Sequence, residues 1–367
     1  MEPTERETGK SPACGYGLLG LCCSSCLLGP CRISPFETKS AKGLCGDDAD
    51  LMVAKNILRV VTAEAAADVK EFSEDIRTLG TPASRQTVTK RPAKNVFQAL
   101  VEKYGLRPRI SVNRFIDYFL RESKNLLSPL AEPRRSNMLP PALYHEGAFP
   151  HVHRDNLLPE SLIGPIFDGL SQLREESQAV ERILWQCLRT SLVAFICEEL
   201  RRDVRFLTQE ELFPGRERES MGIVDYLPRD PLQIVVILAH GEGVSGESID
   251  RTTDELRERL KGRVPVIPAK AMSDLPRIGR AFFRKWSLPV NGSGSIVAVF
   301  SSSVSPALGA LACGFTAVSI PALPIHGSPA VEKFLCQGIK ERFGSAYLPP
   351  RRGEILPVIL EFLGEKP

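Results

Sequence analysis

Apolar residues recur at helical spacing early in the chain. Asp47 and Asp48 precede this segment, and either side chain can cap the N-terminus of a helix. The apolar positions that fall on one helical face are Leu51, Ile57, Leu58, Val61 and Ala65. We therefore predict a helix that begins at this cap and ends near Phe72.

The pattern is less regular over the next eighty residues. Residues 75–92 lack a period and predict a loop, whereas helices are predicted at about 93–104 and 110–127. The segment 128–158 is rich in proline, and we predict that it is too irregular for regular structure.

A longer amphipathic helix is predicted from Glu175 to Leu207. Its apolar face includes Cys187 and Cys197. Free cysteine behaves as a small hydrophobic residue, so we interpret both as core residues.

The pattern changes after Pro231. Short apolar runs now alternate with helix-like segments, namely QIVVILA, VPVIPA, SIVAVFSS and FTAVSIPALPI. This alternation is typical of a parallel sheet covered by helices, and the remaining length suffices for one such domain.

Composition excludes several classes of protein. The chain is 43% hydrophobic and 25% charged, with a formal net charge of +3, which is too near neutral to indicate nucleic-acid binding. No apolar segment approaches the length that spans a membrane. Ten cysteines without a secretory signal indicate a reducing, cytoplasmic location.

The cysteines are concentrated at one end. Six of the ten lie within the first 45 residues, at Cys14, Cys22, Cys23, Cys26, Cys31 and Cys45. The spacing Cys23-x2-Cys26-x4-Cys31 puts three thiolates on one Gly-rich loop, and Cys45 can return as a fourth. Four thiolates suit a cubane iron–sulfur cluster or a tetrahedral zinc ion. Cys14 and Cys22 are left over, which indicates half of a second site completed by another copy of the chain.

A disulfide framework and a structural zinc site are the competing interpretations of these cysteines. A disulfide framework does not suit a long chain with enough apolar residues for a core. Structural zinc shares the Cys-x2-Cys spacing. Iron and sulfide are favoured by the loop glycines, by the apolar flanks and by Arg32, which can offset part of a cluster's negative charge.

The stretch from Cys14 to about Ala67 resembles the anaerobic, nickel-containing carbon monoxide dehydrogenase catalytic subunits, in the hybrid-cluster/CO dehydrogenase superfamily. The motifs that carry the resemblance are GLCCSSC, LGPCRISP and GLCGDDADLMVAKNILRVVTAEAAA. The resemblance implies that Cys14 and Cys22 bind a cluster shared across a homodimer axis. It also implies that a [4Fe-4S] cubane within each chain is held by Cys23, Cys26, Cys31 and Cys45.

Later segments also resemble the family. AVERILWQCLRTSLVAFICEEL is similar to its helical domain, GIVDYLPRDPLQIVVILAHGEG to its first α/β domain, and LPIHGSPAVEKFLCQGIKERFG to its last. Because the family carries two α/β domains and this chain has room for one, the resemblance implies a truncated paralogue.

The family's nickel–iron cluster needs one histidine and several cysteines from its α/β domains. In this chain the ligand position aligns with Glu242, beside His240, and no cysteine occurs between His240 and Cys313. Too few ligands remain for such a cluster, namely the thiols of Cys313 and Cys336, even when an imidazole of His240 or His326 is added. A nickel–iron cluster is therefore not expected.

The family's proton-handling groups are also replaced. Its His-rich stretch corresponds to Asp68-Val69-Lys70-Glu71, and its lysine falls near Ala310. We therefore assign no catalytic residue.

A literal G-x-G-x-x-G runs from Gly241 to Gly246, directly after a predicted strand. This context suits a dinucleotide site, but Glu242 would face the pyrophosphate and no acid clearly ends the next strand. We interpret the motif as a tight strand-to-helix turn.

Three histidines, His145, His151 and His153, cluster near Glu146 in the Pro-rich segment. They could bind a transition metal, but we interpret the segment as a mobile surface loop.

These observations predict an α+β multidomain protein. Its domains are a disordered tail at 1–12, a cluster-binding segment and helix at 13–72, a helical domain at 73–215, and a Rossmann-like parallel α/β domain at 216–367.

The preferred hypothesis is an iron–sulfur electron-transfer protein. It would act as a homodimer and exchange electrons with a ferredoxin-like or other redox partner, which could be a full-length catalytic subunit. The alternative is a minimal carbon monoxide dehydrogenase, which converts CO and water to CO2 with ferredoxin as acceptor, or a related reductase. Nickel content discriminates between the two.

Overall fold

The structure is a computed structural model of the 367-residue chain. It describes residues 14–26, 28–36, 41–89, 94–128, 146–175, 178–208, 233–240, 246–269, 271–291, 293–301, 303–350 and 354–365. The expected disordered tail at 1–12, His145, Glu242 and most of the G-x-G-x-x-G motif lie outside these residues, as does the predicted boundary between 215 and 216.

The cysteine-rich segment forms a short helix and a two-stranded ribbon. These are α1 (Gly15–Leu18), β1 (Cys22–Cys23) and β2 (Cys31–Arg32), with the two strands antiparallel. The ribbon precedes the long helix α2 (Ala49–Leu79), which begins where the pattern predicts. Asp48 caps it by accepting a hydrogen bond from the Leu51 N–H at 2.9 Å.

Helix α2 continues beyond its predicted end at Phe72. Its buried stripe extends through Ile76 and Leu79, so the apolar period that ends the prediction in fact persists for two more turns. The predicted loop at 75–92 is therefore wrong up to Thr89, because a further helix, α3 (Pro82–Thr89), follows with proline at its first position.

Within the described residues, five more helices belong to the helical layer. Their bounds are α4 (Lys94–Lys103), α5 (Val112–Leu126), α6 (Pro150–Arg154), α7 (Gly164–Gln172) and α8 (Val180–Thr208). Helix α8 packs along α2, and Cys187 and Cys197 are fully buried on it, as predicted.

The Pro-rich segment is more ordered than predicted wherever the structure describes it. Residues 129–145 lie outside the description, but α6 is helical, and Phe149, His151 and Val152 are buried. The prediction that this whole segment lacks regular structure is therefore wrong at α6, because large apolar side chains anchor it despite the surrounding prolines.

The C-terminal part contains the predicted parallel sheet. Its strands are β3 (Val235–His240), β4 (Val266–Ala269), β5 (Ile296–Ser301) and β6 (Thr316–Ile320), in the order β4-β3-β5-β6. All neighbouring pairs are parallel. The intervening helices are α9 (Gly246–Leu260), α10 (Asp274–Trp286) and α11 (Ser305–Ala312).

Three helices and a single π-helical turn follow β6. They are α12 (Pro329–Lys333), the π-turn (Phe334–Gly338), α13 (Ile339–Phe343) and α14 (Leu356–Phe362).

The sheet is buried on both faces, as its continuous apolar strands predict. Val236 and Leu238 face a large core shared with α2 and α8, whereas Val235 and Ile237 face a smaller core with α9 and α14. The helical layer and the sheet thus share one apolar interior. Within the described residues, no helix is both long and apolar enough to cross a membrane.

Candidate metal centre

The cysteine-rich ribbon is fixed to helix α2 by side-chain hydrogen bonds. Asn56 lies on α2, and its amide donates to the carbonyls of Gly20 and Cys22, each at 2.9 Å. The ribbon therefore has a defined orientation on the helical layer.

The same segment also contacts the C-terminal part of the chain. The Gly327 N–H donates to the Leu19 carbonyl at 3.1 Å. Gly20 has φ +75°, and a Cβ there would lie 2.7 Å from the carbonyl oxygen of Pro324. Glycine is required at this position both for its backbone angle and for this close approach.

The ribbon separates the adjacent cysteines Cys22 and Cys23. Cys23 is paired directly with Cys31 across the two strands, whereas Cys22 is paired with Arg32. Side chains of successive strand residues point to opposite faces, and directly opposed residues share a face. Cys23 and Cys31 therefore share one face, and Cys22 lies on the other.

The segment that carries Cys45 returns to the face of Cys31. The Leu44 N–H lies 3.5 Å from the Cys31 sulfur. A Cβ on Gly43 would lie 3.7 Å from the Cys31 Cβ. Cys26 is exposed in the turn between the strands, where its carbonyl accepts from the Gly29 N–H at 3.4 Å.

Cys14 lies on the outer side of the segment. It is exposed at the N-terminus of α1, where backbone N–H groups of Gly17 and Tyr16, with a contribution from Arg32, lower the pKa of its thiol despite slight desolvation. Arg32 also stacks over the Tyr16 ring, 5.9 Å from its centroid. This side thus carries an exposed thiol with a lowered pKa, and a cation.

The inner thiols have different surroundings. Burial alone would raise the pKa of Cys23, but its hydrogen bonds with Ser25 outweigh this effect and the pKa is lowered. The Asp47 N–H would lower the pKa of Cys45, yet burial and the Asp47 carboxylate together raise it. The Asp47 carboxylate thus opposes ionisation of the Cys45 thiol, and a neighbouring cation or metal would favour it.

The donor set fits an iron–sulfur cubane. Within the described residues, no three Cys, His, Asp or Glu side chains lie close enough together to hold a single metal ion. A cubane requires thiolates that are farther apart than the ligands of a single ion, because each of its four thiolates binds a different iron. Cys23 and Cys31 share a face of the ribbon, the turn that carries Cys45 returns to that face, and Cys26 lies between the two strands, so the segment supplies four thiols.

The residues that the sequence offers as ligands of a second metal centre lie on different elements. Cys313 is fully buried, and burial raises the pKa of its thiol well above the ordinary range. Cys336 lies on the π-turn, where burial raises its pKa to about 11. His326 is half exposed and lies 3.8 Å from Glu332, and His240 ends β3.

His151 contradicts the predicted mobile surface loop. It is 1% exposed, and its Nε2 lies 2.8 Å from the Ala312 carbonyl, at the end of α11. Burial lowers its pKa to about 4, so this imidazole is neutral at physiological pH. It joins α6 to the α/β layer and is a core histidine.

Sequence reasoning missed a group of carboxylates at the carboxyl edge of the sheet. Glu64 on α2 accepts from the N–H groups of Val304 and Ser305, and Glu198 on α8 accepts from the Ser273 N–H. Asp68 lies within electrostatic reach of both glutamates. The signal in the sequence was weak, because charged residues on a helix usually indicate an exposed face.

Comparison with known proteins supports the sequence-based resemblance. Residues 21–134 match the Prismane/CO dehydrogenase family. Carbon monoxide dehydrogenase 1 of Methanosarcina mazei is 49% identical over 63 residues, which are 17% of this chain and 10% of that protein. Carbon monoxide dehydrogenase of Methanocaldococcus jannaschii is 27% identical over 194 residues, 52% of this chain and 30% of that protein. The chain thus matches well under two thirds of the length of these relatives.

A solved structure shares the fold. Carbon monoxide dehydrogenase from Thermococcus sp. AM4, in an as-isolated Ni-free form, superposes with a TM-score of 0.69 at 13% identity. The superposition covers 99% of this chain and 93% of that chain, which confirms the predicted α+β architecture with one parallel sheet. This chain thus shares its fold with carbon monoxide dehydrogenase, and its residues 21–134 match the Prismane/CO dehydrogenase family.

Proposed function

We propose that the protein is an iron–sulfur electron-transfer protein. A [4Fe-4S] cubane within each chain would be held by Cys23, Cys26, Cys31 and Cys45. A second cluster would be shared between two copies through Cys14 and Cys22. Thiolate-bound clusters of this kind carry one electron at a time, and their potential depends on hydrogen bonds to sulfur and on exposure to solvent.

The observation that carries this proposal is the division of the cysteines by the β1–β2 ribbon. Cys23 and Cys31 share a face, to which the Cys45 turn also returns, while Cys22 lies on the opposite face. Two adjacent cysteines on opposite faces serve two centres more readily than one. The exposure of Cys14 leaves its thiol accessible to a second copy of the chain.

CO oxidation is not part of the proposal. The described α/β layer offers the thiols of Cys313 and Cys336, of which the first is fully buried, and the sequence has no cysteine between His240 and Cys313. We propose instead that electrons pass to a ferredoxin-like partner, or to a full-length catalytic subunit, in an anaerobic cytoplasm. A minimal carbon monoxide dehydrogenase remains the alternative that nickel analysis decides.

The first test is the content of iron, nickel, zinc and sulfide in anaerobically purified protein. We expect about five to six irons per chain, which corresponds to one cubane and half of a shared cluster, and no nickel. Nickel near one per chain would contradict the electron-transfer proposal in favour of the enzyme. Zinc without sulfide would contradict both.

The second test separates the two clusters. Cys26→Ser should abolish the internal cubane, whereas Cys22→Ser should remove the shared cluster alone and weaken the dimer, as measured by electron paramagnetic resonance and analytical ultracentrifugation. Cys187→Ser is the matched control, because Cys187 is a core residue far from the ribbon in sequence and fully buried. If Cys22→Ser leaves both the spectrum and the dimer unchanged, the assignment of Cys22 to a shared cluster is wrong.

A further inference from the structure

A buried cation lies beneath the cysteine ribbon. Lys55 on α2 is 3% exposed, although lysine is almost never fully buried unless it is paired. Its Nζ donates to Asp47 Oδ1 and Oδ2 at 2.8 and 2.9 Å and to the Glu175 carbonyl at 3.1 Å. All three ammonium protons of Lys55 are therefore used.

Asp47 connects this cation to the turn that carries Cys45. Asp47 is 4% exposed, and the Cys45 thiol donates to its Oδ2 at 3.3 Å. The Asp47 carbonyl accepts from the Gly43 N–H at 2.8 Å, and the Gly46 N–H donates back to the Gly43 carbonyl at 3.0 Å. Both the side chain and the backbone of Asp47 thus hold the turn 43–47.

The turn 43–47 also contacts the thiol of Cys31, which belongs to the same face of the ribbon. With the turn closed on Asp47, the Leu44 N–H lies 3.5 Å from the Cys31 sulfur. Hydrogen bonds from backbone N–H groups to cluster sulfurs are among the features that set cluster stability and potential. One buried ion pair therefore controls the position of one thiol and of a donor to another.

We propose that Lys55 is a positioning residue for the internal cluster. Acting through Asp47, it fixes the turn 43–47 so that Cys45 supplies the fourth thiolate. This inference rests on the proposed function. When Cys45 binds iron as a thiolate, the Asp47 carboxylate and the cluster are neighbouring anions, and the Lys55 ammonium, which is buried with Asp47, offsets their repulsion.

A purely structural role is the competing explanation. A buried ion pair at the start of α2 could serve only to dock that helix against residue 175. Removing Lys55 would then destabilise the whole protein, and the loss would be the same whether or not Cys45 is present. A positioning role predicts instead that the two substitutions are not additive, because they act on the same ligand.

The test measures release of iron to a chelator from anaerobic, cluster-loaded protein. We expect Lys55→Met to accelerate release at least about tenfold, as substitutions behind metal ligands typically do. Cys45→Ser should accelerate release as well, and the double variant should release iron no faster than Cys45→Ser alone. Lys70→Met is the matched control on the same helix, since Lys70 is 77% exposed.

A second variant and a second measurement distinguish faster iron release caused by a displaced Cys45 from faster release caused by misfolding. Lys55→Gln keeps a polar donor near Asp47 and removes the charge, and the midpoint of thermal unfolding is recorded for every variant without its cluster. If iron release from Lys55→Met and Lys55→Gln matches the wild type, the positioning role is wrong. It is equally wrong if Lys55→Met accelerates release by the same factor in the Cys45→Ser background.

The measurements distinguish failure of the electron-transfer proposal from failure of the positioning role of Lys55. Wild-type protein that contains no iron and sulfide overturns the electron-transfer proposal, and this inference with it, before any variant is made. Wild-type protein with a cubane and an unaffected Lys55→Met variant overturns the inference alone.

Discussion

Asp68 lies half-buried on α2 among other carboxylates. Burial raises its pKa from 3.8 to about 7, and the neighbouring carboxylates Glu71, Glu198 and Glu64 add to the effect. Arg201 offsets part of this repulsion. At neutral pH the residue thus exists in both protonation states.

The stability of the protein should consequently decrease as pH rises from about 4 to 7. An unfolded aspartate loses its proton near pH 3.9, whereas folded Asp68 keeps its proton until about pH 7. Between these values the folded state binds more protons, so its stability falls with pH, by at most about 4 kcal/mol for a shift of roughly three units.

Asp68→Asn should remove this slope and raise the unfolding temperature at pH 8 above that of the wild type. The measurement is thermal unfolding from pH 4 to pH 8. Asp254→Asn is the control, because Asp254 is 78% exposed and the slope should survive its replacement. An unchanged slope in Asp68→Asn would mean that another group binds the proton.

The two adjacent aspartates before α2 illustrate what a sequence pattern resolves at the scale of a residue. The pattern predicts that either Asp47 or Asp48 caps the helix, and the structure assigns the cap to Asp48. Asp47 pairs with Lys55 instead. No spacing rule reveals this, because a buried lysine on an amphipathic helix looks like an ordinary solvated one until its partner is known.

At the scale of elements, helix α11 is capped by a residue from a different layer. Its N-cap residue, Val304, has no side-chain acceptor. Glu64 on α2 supplies one, and accepts from Val304 N–H at 3.0 Å and Ser305 N–H at 2.9 Å. A carboxylate at a helix N-terminus satisfies free donors and interacts favourably with the helix dipole.

Glu64→Ala should therefore destabilise the protein by about 1–3 kcal/mol, since it leaves two N–H groups without acceptors. Glu64→Gln retains one acceptor oxygen and should lose less. The measurements are chemical denaturation and amide hydrogen exchange at residues 304 and 305. Glu74→Ala is the control, because Glu74 is 55% exposed on the same helix and should change stability by less than about 0.5 kcal/mol. Equal losses in Glu64→Ala and Glu74→Ala would refute the capping role.

Helices and strands with a strong apolar period could be predicted from the sequence, whereas short elements that depend on contacts with residues distant in the sequence could not. Three strands of the parallel sheet lie within their predicted apolar runs, and β3 extends one residue beyond QIVVILA, to His240. The helix α3 and the helix α6 were missed, because proline and polar residues around them hide short apolar anchors such as Val88 and Phe149. The expected donor set of the cysteine ribbon rests on spacing and on the family resemblance and stays a prediction, whereas the attachment of the ribbon through Asn56 depends on tertiary contact.

On the scale of the whole molecule, the helical layer and the α/β layer meet closely at α8 and α11. A Cβ on Gly309 of α11 would lie 2.0 Å from the ring of Phe195 on α8. Phe195 is 1% exposed, so its ring has no free space to move into. The distance between the layers at this point is thus set by the absence of one side chain.

Gly309→Ala should consequently destabilise the protein by about 1–3 kcal/mol, as overpacking typically does. The double variant Gly309→Ala/Phe195→Leu should recover part of this loss relative to Phe195→Leu alone. Gly338→Ala is the control, because a Cβ there meets nothing closer than 3.7 Å. The measurement is denaturant unfolding, and a Gly309→Ala variant as stable as Gly338→Ala would show that the layers can separate without cost.

The hydrogen bond between Gly327 and Leu19 has a consequence for the order of assembly. Leu19 leaves the ribosome some three hundred residues before Gly327 does. The backbone contact that supports the cysteine segment therefore cannot form until Gly327 has been synthesised. Under the proposed function, iron and sulfide would then be inserted into the cysteine segment only after residue 327 has left the ribosome.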